Sequence, residues 1–321
     1  MTPLLDVITF GEAMLLLVAD RPGSLEQAEA FYKRTAGAET NVAIGLARLG
    51  LKVGWGSRLG TDSMGRYLLA AMQKEGIDCS HVVCDPSQKT GFQFKSKVLD
   101  GSDPQVEYHR QGSAASHICV DDIDEAWLLS ARHLHATGVF AAISASTLPA
   151  ARKTMDLMRA AGRSVSFDPN LRPSLWSSPE LMRESINDLA TRANWVLPGL
   201  DEGRLLTGEA SAEGIARFYR QRGARLVVVK LGADGAWFDS DTGGTGHVPG
   251  FPVAQVVDTV GAGDGFAVGV VSALLDGLGV VEAVKRGAWI GARAVQVPGD
   301  SEGLPTRTEL AKFTELHPAR R

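Results

Sequence analysis

A chain of 321 residues with 44% apolar content can build one large core, or a main domain with a smaller appendage, which excludes the disordered and fibrous classes. Its net charge of −4 supplies no basic face for nucleic acid or a membrane surface, so the expected partner is a small molecule. Met1 to Asp6 lack a secretory signal, and the most apolar stretch, Gly265 to Leu278, falls short of the ~20 residues of a membrane span; a cytoplasmic protein with a buried helix there is expected.

In chain order, the first core strand is predicted over Val7 to Phe10. Leu15 to Val18 and Ala28 to Arg34 then read as strands joined without a helix. Val53 to Gly56 is the next core strand, and a helix runs from Asp62 to Gly76 with Met64, Leu68, Ala71 and Met72 on one face. Phe92 to Leu99 and Gln105 to Arg110 form a second helix-free pair, joined as a hairpin by Asp100, Gly101, Ser102, Asp103 and Pro104. After a strand at Leu134 to Thr137 comes a helix with Leu148, Ala151, Met155 and Met158 on one face, Pro149 in its first turn and Gly162 at its end. Val165 to Phe167, Trp195 to Leu197 and Leu226 to Val229 complete the core strands. The alternation predicts an α/β fold with helices packed on a mostly parallel sheet. The helix-free pairs predict a small antiparallel sheet, a lid from about residues 13–36 and 90–111 inserted into a single domain spanning 1–321.

Cys79, Cys84 and Cys119 lack metal-ligand spacing and are expected to be reduced thiols. His133 and His135 alternate along a strand and share a face, where satisfied structural histidines are expected.

The run from Asp258 to Phe266 carries the most chemistry. Gly261, Ala262 and Gly263 form a glycine turn opening the apolar helix, and a helix N-terminus with close backbone approach binds anions. Asp264 follows directly. It is either a base that accepts a proton from an attacking hydroxyl, with a low pKa in that position, or a plain helix cap. The chain lacks the P-loop spacing, and Phe266 occupies the last site of a dinucleotide fingerprint, so neither of those motifs is supported.

That run resembles the C-terminal signature of the ribokinase (PfkB) family of carbohydrate and nucleoside kinases. The resemblance extends in order to Gly37 through Ala43, to Gly56 through Gly60 with Asp62 and Gly65, and to Lys230 through Gly235. It implies a ribokinase-like three-layer sandwich with a β lid, transfer of a phosphoryl group from ATP, and Mg²⁺ on the ATP oxygens. Asp264 would be the base and Gly261, Ala262 and Gly263 the anion hole. Asn170, Lys230, Gly232 and Gly235 would serve the nucleotide, the glycines having an alternative reading as turn formers. Glu202 would reach the metal through water, although Gly199 stands where the family has Asn, and Ala288 replaces an adenine-proximal Asn. The resemblance also makes a monovalent cation such as K⁺ possible near Asp258.

Within the family, Phe167 to Pro173 with Leu175 and Trp176, and Gly299 to Pro305, look most like the members acting on 2-keto-3-deoxygluconate. The expected reaction is phosphorylation of the C6 hydroxyl of that acid sugar; neutral-sugar kinases of the fructokinase or ribokinase type, and a non-catalytic binder, are the alternatives. An acid sugar needs a cationic partner, and Arg110 and Arg172 can clamp its carboxylate or sit in structural ion pairs. Tyr108 bonds the ligand or packs the lid, while Gln93 departs from the tyrosine usual there. Gly37 and Asn41 would contact sugar hydroxyls, with an N-capped helix beginning near Asn41 as the plain reading. Exposed lid edges imply a homo-oligomer formed through the lid.

Overall fold

The computed structural model describes residues 4–98 and 104–317, so the turn expected at Asp100 to Asp103 lies outside the described residues. The described strands are Leu5–Phe10 (β1), Met14–Pro22 (β2), Phe31–Ala36 (β3), Val53–Gly60 (β4), Val82–Asp85 (β5), Phe92–Lys97 (β6) and Val106–His109 (β7). They continue with Ala131–Thr137 (β8), Ser164–Asp168 (β9), Trp195–Val196 (β10), Leu226–Lys230 (β11), Ala236–Ser240 (β12) and Gly244–Val248 (β13).

Strand β11 explains the layering. Its run Leu226, Val227, Val228, Val229 is apolar throughout, as a parallel strand covered on both faces must be. Leu226 and Val228 enter one hydrophobic core with residues of the helices Ala38–Arg48, Ser63–Lys74, Ala262–Leu275 and Val280–Ala294. Val227 and Val229 enter the other, against Thr147–Ala160, Pro179–Thr191 and Ala212–Arg220. Period-two side-chain alternation thus feeds two cores from one strand, giving the expected three layers.

The main sheet runs β13-β12-β11-β10-β9-β8-β1-β4-β5. It is parallel from β11 to β5, and β12 and β13 add an antiparallel edge. The six core strands read from the sequence are all present; β5, β12 and β13 extend beyond them.

The helix predicted from Asp62 to Gly76 is observed as Ser63–Lys74, its N-cap Asp62 accepting from Gly65 N at 2.8 Å. Gly76 leaves it at φ +77°, a left-handed exit that suits glycine. The helix expected near Asn41 starts earlier, at Ala38, with Gly37 as its cap residue, so Asn41 lies inside the first turn and is not the cap.

A second sheet, β3-β2-β6-β7, forms the lid. Its outer pairs are antiparallel as expected, but β2 and β6 pair in parallel, from Leu15 opposite Phe92 to Val18 opposite Lys95. The lid is therefore mixed: two antiparallel pairs lie side by side with their inner strands pointing the same way.

His133 and His135 are wholly buried and bonded to serines: His133 to Ser164 and Ser166, His135 to Ser166, each at 2.8 Å. Burial pushes both imidazoles far down, His135 to about 3, so they stay neutral. The three cysteines are unpaired, as expected. No helix among the described residues is long and apolar enough to cross a membrane.

Leu134 on β8 is 1% exposed at the centre of the second core. Leu134→Ala should lower the unfolding free energy by about 2–5 kcal/mol, read from the denaturant midpoint.

Candidate functional site

In a parallel sheet with helices on both faces, ligands gather beyond the carboxyl ends of the strands. Here Glu12 follows β1, Val139 follows β8, Asn170 follows β9, and Asp168 and Lys230 end β9 and β11. With the lid above them they line a cavity of about 550 Å³. Gly37, Asn41, Tyr108, Arg110, Arg172, Glu202, Gly261, Gly263 and Asp264 line it too. A second cavity of about 410 Å³ is lined by Gly199, Leu200, Asp201, Leu231 and Gly232, and it shares Glu202 and Lys230 with the first. Gly235 lines neither. At φ +92° it packs against the backbone of Val248 and Gly250, which is the turn-forming reading.

The centre is Asp264, in the first turn of the helix Ala262–Leu275. That helix is apolar almost all round and buried from Asp264 to Ala273, which seats its N-terminus in the interior. The Asp264 carboxylate accepts from Asn41 Nδ2 through Oδ2 at 2.8 Å and from Asn170 Nδ2 through Oδ1 at 3.1 Å. These bonds support neither a cap nor a low pKa: Asp264 makes no capping bond, and burial pushes its pKa up to about 7. Asn41 pulls that pKa down, Asp168 pushes it up, and Arg172 pulls it down. The expectation of a low pKa is thus corrected; desolvation outweighs the lowering by Asn41 and Arg172.

Asn170 is in the left-handed region at φ +39°, the one non-glycine described residue with positive φ. Asparagine tolerates that conformation, and such outliers cluster at functional sites. Its amide N donates to Asp168 Oδ1 at 3.2 Å.

Lys230 Nζ lies 2.6 Å from Asp168 Oδ2. Burial opposes the Lys230 charge, but Asp168, with Glu202 and Asp264, carries its pKa upward. Burial in turn raises Asp168 to about 6, with Lys230 opposing. A Cβ on Gly263 would stand 3.5 Å from Lys230 Nζ, so the ammonium lies beside the glycine turn. Gly261 opens that turn at φ +83°, where a Cβ would meet the Asp300 carbonyl oxygen at 2.2 Å. The first amides of a helix have no intrahelical acceptor, so those of Ala262, Gly263 and Asp264 are available to an anion.

On the lid side, Arg110 Nη2 lies 2.5 Å from Glu12 Oε2. This ion pair engages Nη2 and leaves buried Arg110 Nε without a partner. Buried Asn41 Oδ1 and Gln93 Oε1, on residues of the same lining, also lack one. Orphaned buried polar atoms on one cavity call for a polar ligand. Burial raises Glu12, opposed first by Arg110. Arg172 is exposed and bonds only the Leu171 carbonyl among the hydrogen bonds seen, at 2.8 Å; Tyr108 is half exposed at the rim.

Glu202 Oε1 accepts from Leu171 N and Oε2 from Gly199 N, both at 2.7 Å, so its carboxylate ties two loops together. Ala288 is buried in the first core and lines neither cavity. Sequence reasoning passed over Glu12, Lys95, Asp168 and Asp300, which all line the large cavity. The alternation of Phe92 and Phe94 with Gln93 and Lys95 was the available signal, because it puts a polar face on a lid strand.

The pattern of the pfkB family of carbohydrate kinases matches residues 4–307. A 2-dehydro-3-deoxygluconokinase from Bacillus subtilis is 50% identical over 96% of this chain and 95% of its own. A solved PfkB protein from a Polaromonas species is 80% identical and superposes with a TM-score of 0.89, covering 96% of this chain and 99% of its own. A fructokinase from Vibrio cholerae, in a fructose-, ADP- and potassium-bound form, is 27% identical with a TM-score of 0.83, covering 98% and 99%.

Gly261→Ala forces a Cβ into the Asp300 carbonyl. It should destabilise the fold by more than the ~1 kcal/mol of an ordinary glycine replacement, measured as a fall in Tm.

Proposed function

Since the chain belongs to the pfkB family of carbohydrate kinases, we propose that it transfers the γ-phosphoryl group of ATP to the C6 hydroxyl of 2-keto-3-deoxygluconate, yielding the 6-phosphate and ADP. The observation that carries this reading is the buried Asp264 carboxylate, held by Asn41 and Asn170 at an anion-binding helix end.

The acid sugar occupies the large cavity beneath the lid. Arg110 and Arg172 meet its carboxylate, Tyr108 closes over it, and Gly37 and Asn41 take its hydroxyls. A Cβ on Gly37 would meet the Glu12 carbonyl at 2.3 Å, so the residue cannot grow without closing that approach. ATP lies along the smaller cavity by Gly232, its γ-phosphate directed to the glycine turn and Lys230.

The C6 oxygen attacks phosphorus, the bond to the β-phosphate oxygen breaks, and the hydroxyl proton passes to Asp264. The amides of Ala262 and Gly263 with the Lys230 ammonium stabilise charge on the transferring oxygens. Asn41 and Asn170 orient the base, since each grips one of its oxygens. A bound Mg²⁺ would offset the charge of the ATP oxygens. Among the described residues no three His, Cys, Asp or Glu side chains cluster to hold a metal. The Glu202 oxygens already accept backbone N–H groups, so Glu202 would hold the ion through water.

A base with a pKa of about 7 is half protonated near neutrality, and only its carboxylate form accepts the proton. kcat/KM should therefore fall on the acid side with a midpoint near about 7; a profile flat down to about pH 5 would overturn the assignment. Asp264→Asn should lower kcat by about 10²–10⁴-fold while calorimetry still detects sugar binding, and near-normal turnover sinks the role.

Arg172 gives a cleaner test of the acid sugar than Arg110, whose loss strands the buried Glu12. Arg172→Ala should raise KM for 2-keto-3-deoxygluconate by about tenfold or more, the scale of one lost charged hydrogen bond, with neutral sugars little affected. Equal losses on fructose or ribose would favour a neutral-sugar kinase.

A further inference from the structure

Behind the glycine turn lies a charge cluster the mechanism has not used. Lys95, on lid strand β6, is 2% exposed, and its Nζ lies 2.6 Å from Asp258 Oδ2 and 3.3 Å from Asp300 Oδ1. Both aspartates are buried. Asp258 Oδ1 accepts from Val260 N and Oδ2 from Gly299 N, each at 3.1 Å, so this carboxylate ties the approach to the turn to the 299–301 loop. That loop supplies the Asp300 carbonyl against which Gly261 is packed. Arg48 Nη1 holds the loop from the core side, 2.7 Å from Ser301 O, and Arg34 of lid strand β3 pairs with Glu302 at 3.0 Å.

Two buried carboxylates beside one turn need a counter-charge, because their repulsion is poorly screened in the interior. The Vibrio cholerae fructokinase structure is a potassium-bound form, and the resemblance implied a monovalent cation near Asp258. The donor set here does not fit one. Asp258 already has two amides and an ammonium on its oxygens, and the ammonium also reaches Asp300.

We propose that the Lys95 ammonium is a built-in monovalent cation, carried by the lid, which holds the Asp258–Asp300 pair and thereby positions the glycine turn, so that this kinase works without K⁺. Lys95 is a positioning residue, since it acts on the phosphate through the loop and turn. Burial raises Asp300 to about 6, opposed first by Lys95, as a counter-charge requires. Carriage on β6 couples the lid to the turn: the cation reaches its carboxylates only with the lid seated.

This inference rests on the kinase reading, so wild-type turnover of 2-keto-3-deoxygluconate is measured first, in tetramethylammonium buffer, then with K⁺ added. Turnover without K⁺, changed by less than about twofold on its addition, is expected; activation of about tenfold or more overturns the inference. Lys95→Ala should lower kcat by about a hundredfold, the scale of a small misplacement of reacting groups, with KM for the sugar little changed. K⁺ or NH₄⁺ should restore at least about a tenth of the loss, with tetramethylammonium inert, as a small cation enters the vacated place. Unchanged kcat, or a loss that no small cation repairs, overturns it, because a merely structural lysine would not be replaced by an ion. Lys95→Arg, which keeps the charge, should retain K⁺-independent turnover if Lys95→Ala fails to fold, and K⁺-dependent turnover in it overturns the inference. Should the wild type phosphorylate no sugar, the kinase reading fails separately. The cation site is then read from Tm: K⁺ should leave the wild type unchanged and raise Lys95→Ala, and the reverse overturns it.

Discussion

An ionisable carboxylate has to be kept in the interior, aimed at an anion site, without being neutralised by a salt bridge. Asp264 meets that constraint through two amide donors and a helix end in place of a cation, while burial holds its pKa near about 7. The arrangement depends on an apolar helix buried along most of its length, on a glycine turn that no side chain can enter, and on Asn170 holding a left-handed backbone. A direct arginine or lysine partner would hold the carboxylate in a fixed pair and lower its pKa, leaving it less able to take up a proton.

Several other charges around the cavity are held in ion pairs. Lys230 meets Asp168, Arg110 meets Glu12, and Lys95 meets Asp258 and Asp300. The sheet edge supplies Glu12, Asp168 and Lys230, while the lid supplies Lys95 with Arg110 just past β7. Two of these pairs therefore span lid and core. Lifting the lid would break both pairs and leave their charges without partners.

Much of this was legible in the sequence because it rests on local periodicity. The helix from Asp62 to Gly76, the β8 to β9 crossover and the apolar helix after the glycine turn all carry their own start and stop signals. The pairing within the lid was not legible, because the parallel contact between β2 and β6 joins segments with three strands and two α-helices between them. The start of the helix at Ala38 was missed because Gly37 caps without a side chain. Asp264's raised pKa was misread because helix polarity is a local signal and desolvation is a tertiary one. Arg110 and Arg172 line the cavity, but Glu12, which lies against Arg110, comes from a distant part of the chain and left no spacing to read.

Strand β6 turns the usual alternation inside out: Gln93 and Lys95 are buried toward the cavity, while Phe92 stacks on His109 and Phe94 packs at a tilt against Phe31 on the other side. Every second residue faces the cavity, so a slip of one position would replace an amide and an ammonium with two phenyl rings. Diversification of this enzyme's diet is thus confined in its grammar. Residue 93 can be exchanged by itself, whereas an insertion within the strand rewrites the whole ceiling of the cavity at once.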